Sequence, residues 1–391
     1  MDFKFSEKEE KFREEVRDFL RKELTGEFQD KLIAKLPEHS MVCKEFTEKL
    51  AQKGWIGIGW PKEYGGQGRT YMEQVVYAEE IGYHRAPTWY NKLAYDIVAP
   101  LLIKVANEEQ KGKYLQRIAS GQISFCLGYT EPDTGCDLAS LNTRATYDGN
   151  VYVINGHKML ISCAEWADYC LLAARTDPNV PKHRGISLFI VDMKSPGITV
   201  KHIPAICEMP IGEILLDDVR LSRASLLGEE NRGWEYLMLA LNIERVVIAG
   251  VVAMLQGSYD VLLEYVRSTT RCGRPLREDP MVRNILAQLY TELEVARLLC
   301  YRTICIMEKG EIPTHEASMA KVFCTELERR LTNVGTQIMG LAGQLMGESK
   351  WAPLHGRIAS EYRFSLVSGV GGGTNELQRT LIAQIGLGLP R

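Results

Sequence analysis

The chain has 391 residues, 45% of them hydrophobic, and its 47 Lys and Arg residues nearly balance its 50 Asp and Glu residues. A single hydrophobic core stops growing below this length, so we expect two or three packed units. The near balance of charge leaves no basic field that could hold a nucleic acid, and we exclude nucleic acid as a partner.

The first ten residues are charged and amphipathic, unlike the apolar core of a signal peptide. No later apolar run approaches the length that crosses a bilayer. We therefore expect a cytoplasmic protein without a membrane span.

Residues 1–121 show helical periodicity. Apolar side chains recur every three or four positions, as at Phe12, Val16, Phe19 and Leu20. This pattern predicts an N-terminal α domain.

Residues 122–232 change to short β-rich runs, such as 151–154 and 186–191, separated by turns that contain Gly or Pro. They predict a compact middle β domain.

Long helical patterns return in residues 233–391, with helices predicted at 236–266, 280–309 and 315–346. These helices predict a C-terminal bundle. The order helix, sheet, helix lacks the strand and helix alternation of a doubly wound fold, and no strand-linked Gly-x-Gly-x-x-Gly occurs, so nicotinamide binding is disfavoured.

The ten cysteines lie mostly within apolar segments and never form Cys-x-x-Cys, so they predict reduced thiols in the core. The seven histidines are scattered, and none lies at ligand spacing from a cysteine. We expect no metal site.

Near the C-terminal end, residues 369–379 read GVGGGTNELQR. Consecutive glycines allow positive φ and the close approach of a ligand, and Thr374 and Glu376 are placed to cap a helix over 377–385. The segment predicts a loop beneath a cofactor, although a plain helix-entry loop fits these residues as well.

Two other segments favour the cofactor loop. Residues 125–137 read FCLGYTEPDTGCD and residues 155–162 read NGHKMLIS. With the glycine loop they resemble the acyl-CoA dehydrogenase family, which carries Thr-Glu-Pro-x-x-Gly-Ser-Asp, Asn-Gly-x-Lys-x-Trp-Ile-Thr and Glu-Gly-Thr-x-Glu-Ile-Gln-Arg in the same order. Residues 57–68 and 337–343 extend the likeness over nearly the whole chain.

The resemblance implies an α+β fold with an N-terminal helical domain, a middle β-barrel-like or sandwich domain, and a C-terminal four-helix bundle. It also implies FAD as the cofactor, an acyl-CoA substrate, a homotetramer, and an electron-transferring flavoprotein as the electron acceptor.

By this resemblance, Gly372 occupies the position of the usual catalytic glutamate in the substrate site and offers no carboxylate. Residues 241–249, LNIERVVIA, resemble isovaleryl-type and bacterial steroid-type members, where the base precedes an arginine on a neighbouring helix. Glu244 is then the leading base, its pKa raised by apolar flanks, and Arg245 lies beside the substrate. The alternative is a solvated Glu244 paired with Arg245.

A second carboxylate, Asp96, lies in the apolar run 93–100, on the segment that lines the acyl pocket in the family. Burying an unpaired carboxylate costs several kcal/mol, so Asp96 needs a partner or a catalytic role. A helix cap or a hydrogen bond to Tyr90 or Tyr95 is the alternative.

For FAD, Thr130 and Ser162 match family positions that hydrogen-bond the flavin ring. Cys136 replaces the serine that faces the pyrophosphate, and Leu160 replaces the tryptophan that covers the flavin.

Another set matches positions that meet FAD across a dimer interface: Gln337, Gly340 and Thr374, with Glu376 in the same segment as Thr374. A generic helix contact is the alternative for Gln337. The adenine-side segment lacks the usual Arg and Phe before its glycine, so Arg271 or Arg267 is expected to substitute.

Trp89, Tyr90 and Tyr95 are placed to form an aromatic wall around a ring-shaped acyl group, or simply to pack in the core. Three functions therefore stay open. They are α,β-dehydrogenation with Glu244 as base, elimination on an alicyclic substrate such as cyclohexane- or cyclohex-1-ene-1-carboxyl-CoA with Asp96 as base, and a flavin-binding scaffold without a base.

Overall fold

The computed structural model describes residues 4–26, 28, 42–207, 209–243, 247–347 and 349–390. The expected order of a helical region, a sheet and a second helical region is confirmed. The α-helices are α1 Glu7–Glu23, α2 Lys44–Gln52, α3 Tyr71–Tyr83, α4 Ala99–Val105, α5 Glu108–Ala119, α6 Gly233–Ile243, α7 Val247–Ser268, α8 Pro280–Glu308, α9 His315–Met339, α10 Arg357–Ser368 and α11 Asn375–Leu381. The strands are β1 Phe125–Gly128, β2 Arg144–Tyr147, β3 Val151–Ser162, β4 Tyr169–Arg175, β5 Ile186–Asp192, β6 Ile198–Ile203, β7 Ile211–Ser222, β8 Leu226–Leu227, β9 Thr270–Arg271 and β10 Arg274–Pro275.

The N-terminal helices begin at sequence-encoded caps. Ser6 with Glu9 and Thr70 with Glu73 form capping boxes, in which each side chain bonds the other residue's backbone N–H. The apolar positions that predicted α1 are buried against their neighbours. Local capping and periodicity therefore agree in this region.

The middle region is an eight-stranded sheet in the order β6-β7-β3-β2-β4-β5-β8, with β1 parallel to β4. One face, represented by Phe125 and Leu188, packs into the core shared with the N-terminal helices. The other face closes around its own core, which includes Tyr152 and Phe189. Both faces are thus covered.

The C-terminal region packs α7, α8, α9 and α10 around a third core. Helix α3 crosses α7 closely, since a Cβ added at Gly82 would lie 2.1 Å from the carbonyl oxygen of Gly250. This contact joins the N-terminal helices to the bundle and sets one wall of the cavity described below.

Two helix ends differ from the sequence prediction. Helix α9 stops at Met339 rather than at 346 and continues as a short 3-10 turn, Gly340–Gln344. Helix α11 starts at Asn375, and its last turn widens into a π-helix, Ile382–Gly386. Apolar periodicity continues through the 3-10 turn and the π-helical turn, so the pattern alone overestimates the length of an α-helix.

Across the described part of the chain, no helix combines the length and the apolar character needed to cross a bilayer. Within the same residues, no group of three or more His, Cys, Asp or Glu side chains gathers as metal ligands do.

Candidate active site

A buried ion pair holds the loop of residues 129–143. The Lys158 ammonium donates to the Glu131 carboxylate at 2.8 Å and to the Tyr129 carbonyl at 3.1 Å. Glu131 also accepts from the backbone N–H groups of Asn142 at 2.6 Å and Thr143 at 2.9 Å. Burial acts to raise the pKa of Glu131, but Lys158 and these hydrogen bonds lower it. This function of Glu131 and Lys158 was not predicted from the sequence, although both residues lie in the motifs.

Thr130 lies in this fixed loop, and Ser162 ends β3 three residues after Met159. The Met159 N–H donates to the Thr130 carbonyl at 2.9 Å, which ties the loop to β3. Both hydroxyl side chains are half-buried and have no hydrogen-bond partner among the described residues. They are available to a ligand.

Strand β3 is irregular where it carries these residues. Its register with β7 shifts between Lys158 and Ile161, and Leu160 and Cys163 both have a φ of 59°. Positive φ at such residues is strained and marks functional segments. Leu160 remains 52% exposed, so the side chain that replaces the family tryptophan lies on the surface.

The glycine loop lies against the loop of residues 129–143. Cys136 Sγ lies 3.6 Å from Thr374 Oγ1, and Thr374 caps α11 by accepting from the Leu377 N–H. Thr374 therefore lies beside Cys136 of its own chain. Glu376 is exposed in the first turn of α11.

Lys321 of α9 fixes the glycine loop through hydrogen bonds. Its ammonium donates to the carbonyls of Gly369 at 3.2 Å and Gly373 at 2.9 Å, and to Asn375 Oδ1 at 2.8 Å. Gly372 has a φ of 65°, and a Cβ added there would meet no atom within 4 Å. The loop thus leaves open space at the position where the family carries its glutamate.

A separate group of cofactor candidates lies on the bundle. The β9–β10 hairpin turns through Cys272 and Gly273, both with positive φ, as a two-residue hairpin turn requires. This turn places the Arg271 guanidinium on the Ile338 carbonyl, between Gln337 and Gly340. Arg271, rather than Arg267, thus joins this group, because Arg267 pairs with Glu264 on exposed surface.

A cavity of about 1210 Å³ lies between the three regions. The N-terminal helices contribute Trp89, Tyr95 and Asp96, and the sheet contributes Cys163, which follows Ser162 directly. The bundle side includes Gly250, Met254, Glu328 and Glu361. The three candidates of the acyl pocket therefore share one cavity with the end of β3.

Asp96 does not have the environment expected from its apolar flanks. Its carboxylate accepts from the Lys92 ammonium at 2.6 Å, and 22% of the side chain is exposed. It lies in a π-helical turn, Ala94–Val98, before Pro100, whose missing N–H cannot bond the Asp96 carbonyl. Neither a cap nor a tyrosine satisfies Asp96; a lysine four residues earlier does. The sequence offered that signal, since i,i+4 pairs face each other on a helix.

Tyr95 is buried, and burial raises the pKa of its hydroxyl well above the ordinary value, with Asp96 adding to the rise. It therefore stays a neutral wall of the cavity beside the ion pair. Trp89 is half-buried on the same lining.

The proposed base, Glu244, and its neighbour Arg245 lie outside the described residues, between α6 and α7. The flanking helices are described, and Leu239 of α6 and Val251 of α7 both line the cavity.

The cysteines only partly match the expected core thiols. Six are buried and Cys43 is half-buried, but Cys136, Cys272 and Cys305 are exposed. Cys136 lies in the loop of residues 129–143, and Cys272 lies in the turn of the β9–β10 hairpin. Both side chains are exposed because apolar neighbours in the sequence do not bury a residue in a turn.

Three family models cover the chain: the acyl-CoA dehydrogenase N-terminal domain matches residues 6–122, the middle domain 126–219 and the C-terminal domain 231–387. The chain belongs to the acyl-CoA dehydrogenase family. Members of this family are flavoprotein oxidoreductases, so the expectation of an enzyme is confirmed.

The chain is similar to acyl-CoA dehydrogenase FadE26 of Mycobacterium tuberculosis, with 35% identity over 100% of this chain and 99% of the relative. Among solved structures, the Tcur3481-Tcur3483 steroid ACAD is 36% identical with a TM-score of 0.92, and the ChsE4-ChsE5 complex from Mycobacterium tuberculosis is 35% identical with a TM-score of 0.91. Both superpositions cover 100% of each chain.

Proposed function

We propose that this family member catalyses the FAD-dependent α,β-dehydrogenation of an acyl-CoA thioester to a 2-enoyl-CoA. One observation carries the proposal: Ser162 ends the strand whose motif resembles the flavin strand, and the next residue, Cys163, lines the large cavity. Tyr95 and Asp96 line the same cavity from the helical side. A ligand in this cavity would therefore meet both the flavin strand and the acyl-pocket segment.

The residues at the flavin motifs fit FAD. The unpartnered hydroxyls of Thr130 and Ser162 would hydrogen-bond the flavin ring, and Cys136 with Thr374 would lie at the pyrophosphate. Bound FAD supplies the hydride acceptor, while the protein supplies position and electrostatics.

The bundle group fits the adenine side of an FAD held mainly by a partner subunit. Gln337 is exposed beside Gly340 and Arg271, as residues that reach across an interface must be. This arrangement supports a subunit interface at this surface, and the family resemblance implies that the assembly is a homotetramer. The names of both structural neighbours combine two proteins, so assembly with a second, related chain is the other outcome that native mass spectrometry of the purified protein would reveal.

Glu244 is the proposed base, which removes the proton beside the thioester carbonyl. Its sequence position between α6 and α7 supports this role, since both helices line the cavity. General-base catalysis of this kind contributes about 10²- to 10⁴-fold in rate.

Asp96 is the second candidate, because it lines the cavity and Gly372 does not supply a carboxylate. Its carboxylate is already engaged by Lys92 in a charge-assisted hydrogen bond of 2.6 Å, which supports Glu244 over Asp96. Asp96 would act on an alicyclic substrate, where proton and hydride leave from carbons distant from C1.

We propose a bulky, ring-containing acyl group as the substrate, for which the cavity has room. Sites for small molecules usually have volumes of about 300–1,000 Å³, and this cavity of 1210 Å³ is larger. The neighbour described as a steroid ACAD supports the same substrate class. We propose that electrons pass to an electron-transferring flavoprotein and that the enzyme works in the cytoplasm.

Flavin bleaching at about 450 nm tests the function directly. The purified protein, loaded with FAD, would be mixed anaerobically with straight, branched, cyclohexane-carboxyl, cyclohex-1-ene-1-carboxyl and steroid side-chain acyl-CoA thioesters. We expect a ring-containing thioester to bleach the flavin fastest. Bleaching by none of them would favour the scaffold without a base.

The base is tested by Glu244→Gln and Asp96→Asn. Glu244→Gln should lower the rate of flavin reduction by about 10²- to 10⁴-fold with FAD still bound, while Asp96→Asn has little effect. The reverse pattern with cyclohex-1-ene-1-carboxyl-CoA would assign the base to Asp96. Unchanged rates in both variants would refute both assignments.

A further inference from the structure

A cluster of charged side chains lines the bundle side of the cavity and has no part in the proposed dehydrogenation. It consists of Arg85 after α3, Glu328 of α9, and Arg357 and Glu361 of α10. We call these residues the Arg85 cluster. The flavin-motif strand reaches the same cavity through Cys163 on its sheet side.

Glu361 organises the cluster. Its Oε1 accepts from Arg357 Nε at 2.7 Å and also from the Arg85 guanidinium. Arg85 donates in addition to Ser258 of α7 at 3.0 Å. The cluster thus spans the junction of α3, α7 and α10, where Gly82 and Gly250 bring the backbones together.

The network is incomplete. Arg85 Nε, Glu361 Oε2 and Glu328 Oε2 are buried and have no hydrogen-bond partner within the part of the chain that the structure describes. Unpaired buried polar atoms are rare in folded proteins, because each loses its hydration without compensation. Glu328 is 2% exposed, so bulk solvent does not supply the missing partner.

Arg85 follows the end of α3 in the left-handed conformation of a helix C-cap, with a φ of 51°. Its N–H donates to the Gly82 carbonyl and the Ala86 N–H donates to the Ile81 carbonyl, both at 3.0 Å, which fixes Arg85 at the cavity wall. The Arg85 side chain lines the cavity and is 30% exposed overall, while its Nε is buried.

The unpaired atoms have a definite chemical complement. Arg85 Nε carries a donor, whereas Glu361 Oε2 is an acceptor. A carboxylate ligand would leave the acceptor unpaired and repel Glu361, and a methylene group would pair with neither. A hydroxyl both accepts and donates, and so matches both atoms.

We propose that the Arg85 cluster recognises a hydroxyl group on the ring portion of the acyl substrate, accepting a hydrogen bond from Arg85 and donating one to Glu361. The proposal rests on the proposed function only in taking the cavity as the acyl site. Rotation of the Glu361 carboxylate about its broad terminal torsion would turn Oε2 toward the ligand. Glu328 lies beside the pair as a third polar wall.

Matched substrates test this recognition. Cyclohexanecarboxyl-CoA would be compared with its 4-hydroxy derivative, and a steroid side-chain acyl-CoA with and without its ring hydroxyl. One of these two pairs will have a ring portion long enough to span the cavity. For that pair, we expect kcat/KM of the hydroxylated member to be about 10- to 100-fold higher than that of its unhydroxylated partner. The ketone analogue, which accepts from Arg85 but cannot donate to Glu361, should fall between the two.

The variants Glu361→Gln and Arg85→Lys keep polarity and approximate shape. Each should lower the hydroxyl preference, taken as the ratio of kcat/KM for the hydroxylated and unhydroxylated members, by about 10-fold or more, with FAD content unchanged. Glu292→Gln, which removes an ion pair with Arg330 elsewhere on the bundle, is the control and should keep the full preference.

Calorimetric binding of the corresponding enoyl-CoA products gives a readout that needs no turnover. Tighter binding of the hydroxylated product without flavin reduction would refute the proposed dehydrogenation and retain this inference. Flavin reduction at the same kcat/KM with and without the hydroxyl, in both pairs, would overturn the inference. A ketone analogue with the same kcat/KM as the hydroxylated substrate would overturn it as well. If both variants fail to fold, the preference of the wild-type protein still decides.

Discussion

Two buried charged sites in this molecule differ in how completely they are hydrogen-bonded. At the flavin motifs, Glu131 accepts from Lys158 and two backbone N–H groups, and the ammonium binds a carbonyl as well. At the Arg85 cluster, the second oxygens of Glu328 and Glu361 have no partner among the described residues. The first arrangement fixes a loop, and the second leaves capacity for a ligand.

The comparison shows why burial of charge alone does not identify a binding site. Glu131 and Lys158 have their hydrogen bonds filled, and the loop of residues 129–143 that they hold explains why they are buried. The Arg85 cluster lines a cavity and has buried polar atoms without hydrogen bonds, so its burial needs another explanation.

The largest effect is expected at the satisfied pair. Lys158→Met leaves the Glu131 carboxylate buried without its cation and should destabilise the protein by about 3–5 kcal/mol. Loss of the fixed loop should also weaken FAD retention. Urea unfolding and FAD content after dialysis would measure both effects.

The matched control removes both charges. Lys158→Met combined with Glu131→Leu should recover much of the lost stability, because no unpaired charge remains. If the single and double variants unfold at the same urea concentration, the pair does not stabilise the loop as described.

The second effect concerns pH. Burial raises the pKa of Glu328 from 4.5 to about 7, with Glu361 adding to the rise and Ser368 and Arg85 opposing it. Between these two pH values the unfolded chain ionises Glu328 while the folded chain keeps it protonated, so folding stability falls as pH rises. Below pH 4.5 this residue has no effect, and above pH 7 its penalty is complete, at about 3 kcal/mol.

Glu328→Gln removes this penalty. The variant should therefore gain stability relative to wild type as pH rises from 5 to 8, which urea midpoints at both values would show. Glu292→Gln on the bundle exterior should show no such trend. A constant difference between Glu328→Gln and wild type across this pH range would contradict the description of the cluster.

The smallest effect is expected at the contact between the glycine loop and the loop of residues 129–143. Thr374→Ala removes the cap of α11 and the hydroxyl beside Cys136, and should cost about 1 kcal/mol of stability. FAD should also dissociate faster, as followed by flavin fluorescence. Thr374→Ser keeps the hydroxyl and should behave like wild type. Equal FAD loss in both variants would argue against a role of the Thr374 hydroxyl in holding FAD.

Much of the fold was predictable because it depends on local patterns. Residues such as Phe12 and Val16 repeat at helical spacing, and β3 and β5 are rich in branched and aromatic side chains. The helix ends at Met339 and Leu381 were not predicted, since apolar spacing continues beyond both. Motifs in the sequence supplied candidate site residues such as Thr130 and Ser162, but not which candidates lie next to one another.

The sequence by itself determined the family, the order of helix, sheet and helix, and the absence of a glutamate at Gly372, because these depend on residue identity and short spacing. Only the tertiary structure decided that Asp96 pairs with Lys92, that Thr374 meets Cys136, and that Arg85, Glu328 and Glu361 share one cavity wall. Arg85 is separated from Glu328 and Glu361 by more than two hundred residues. The charge state and hydrogen bonding of such groups depend on which distant segments the packed cores bring together, and no local pattern records that.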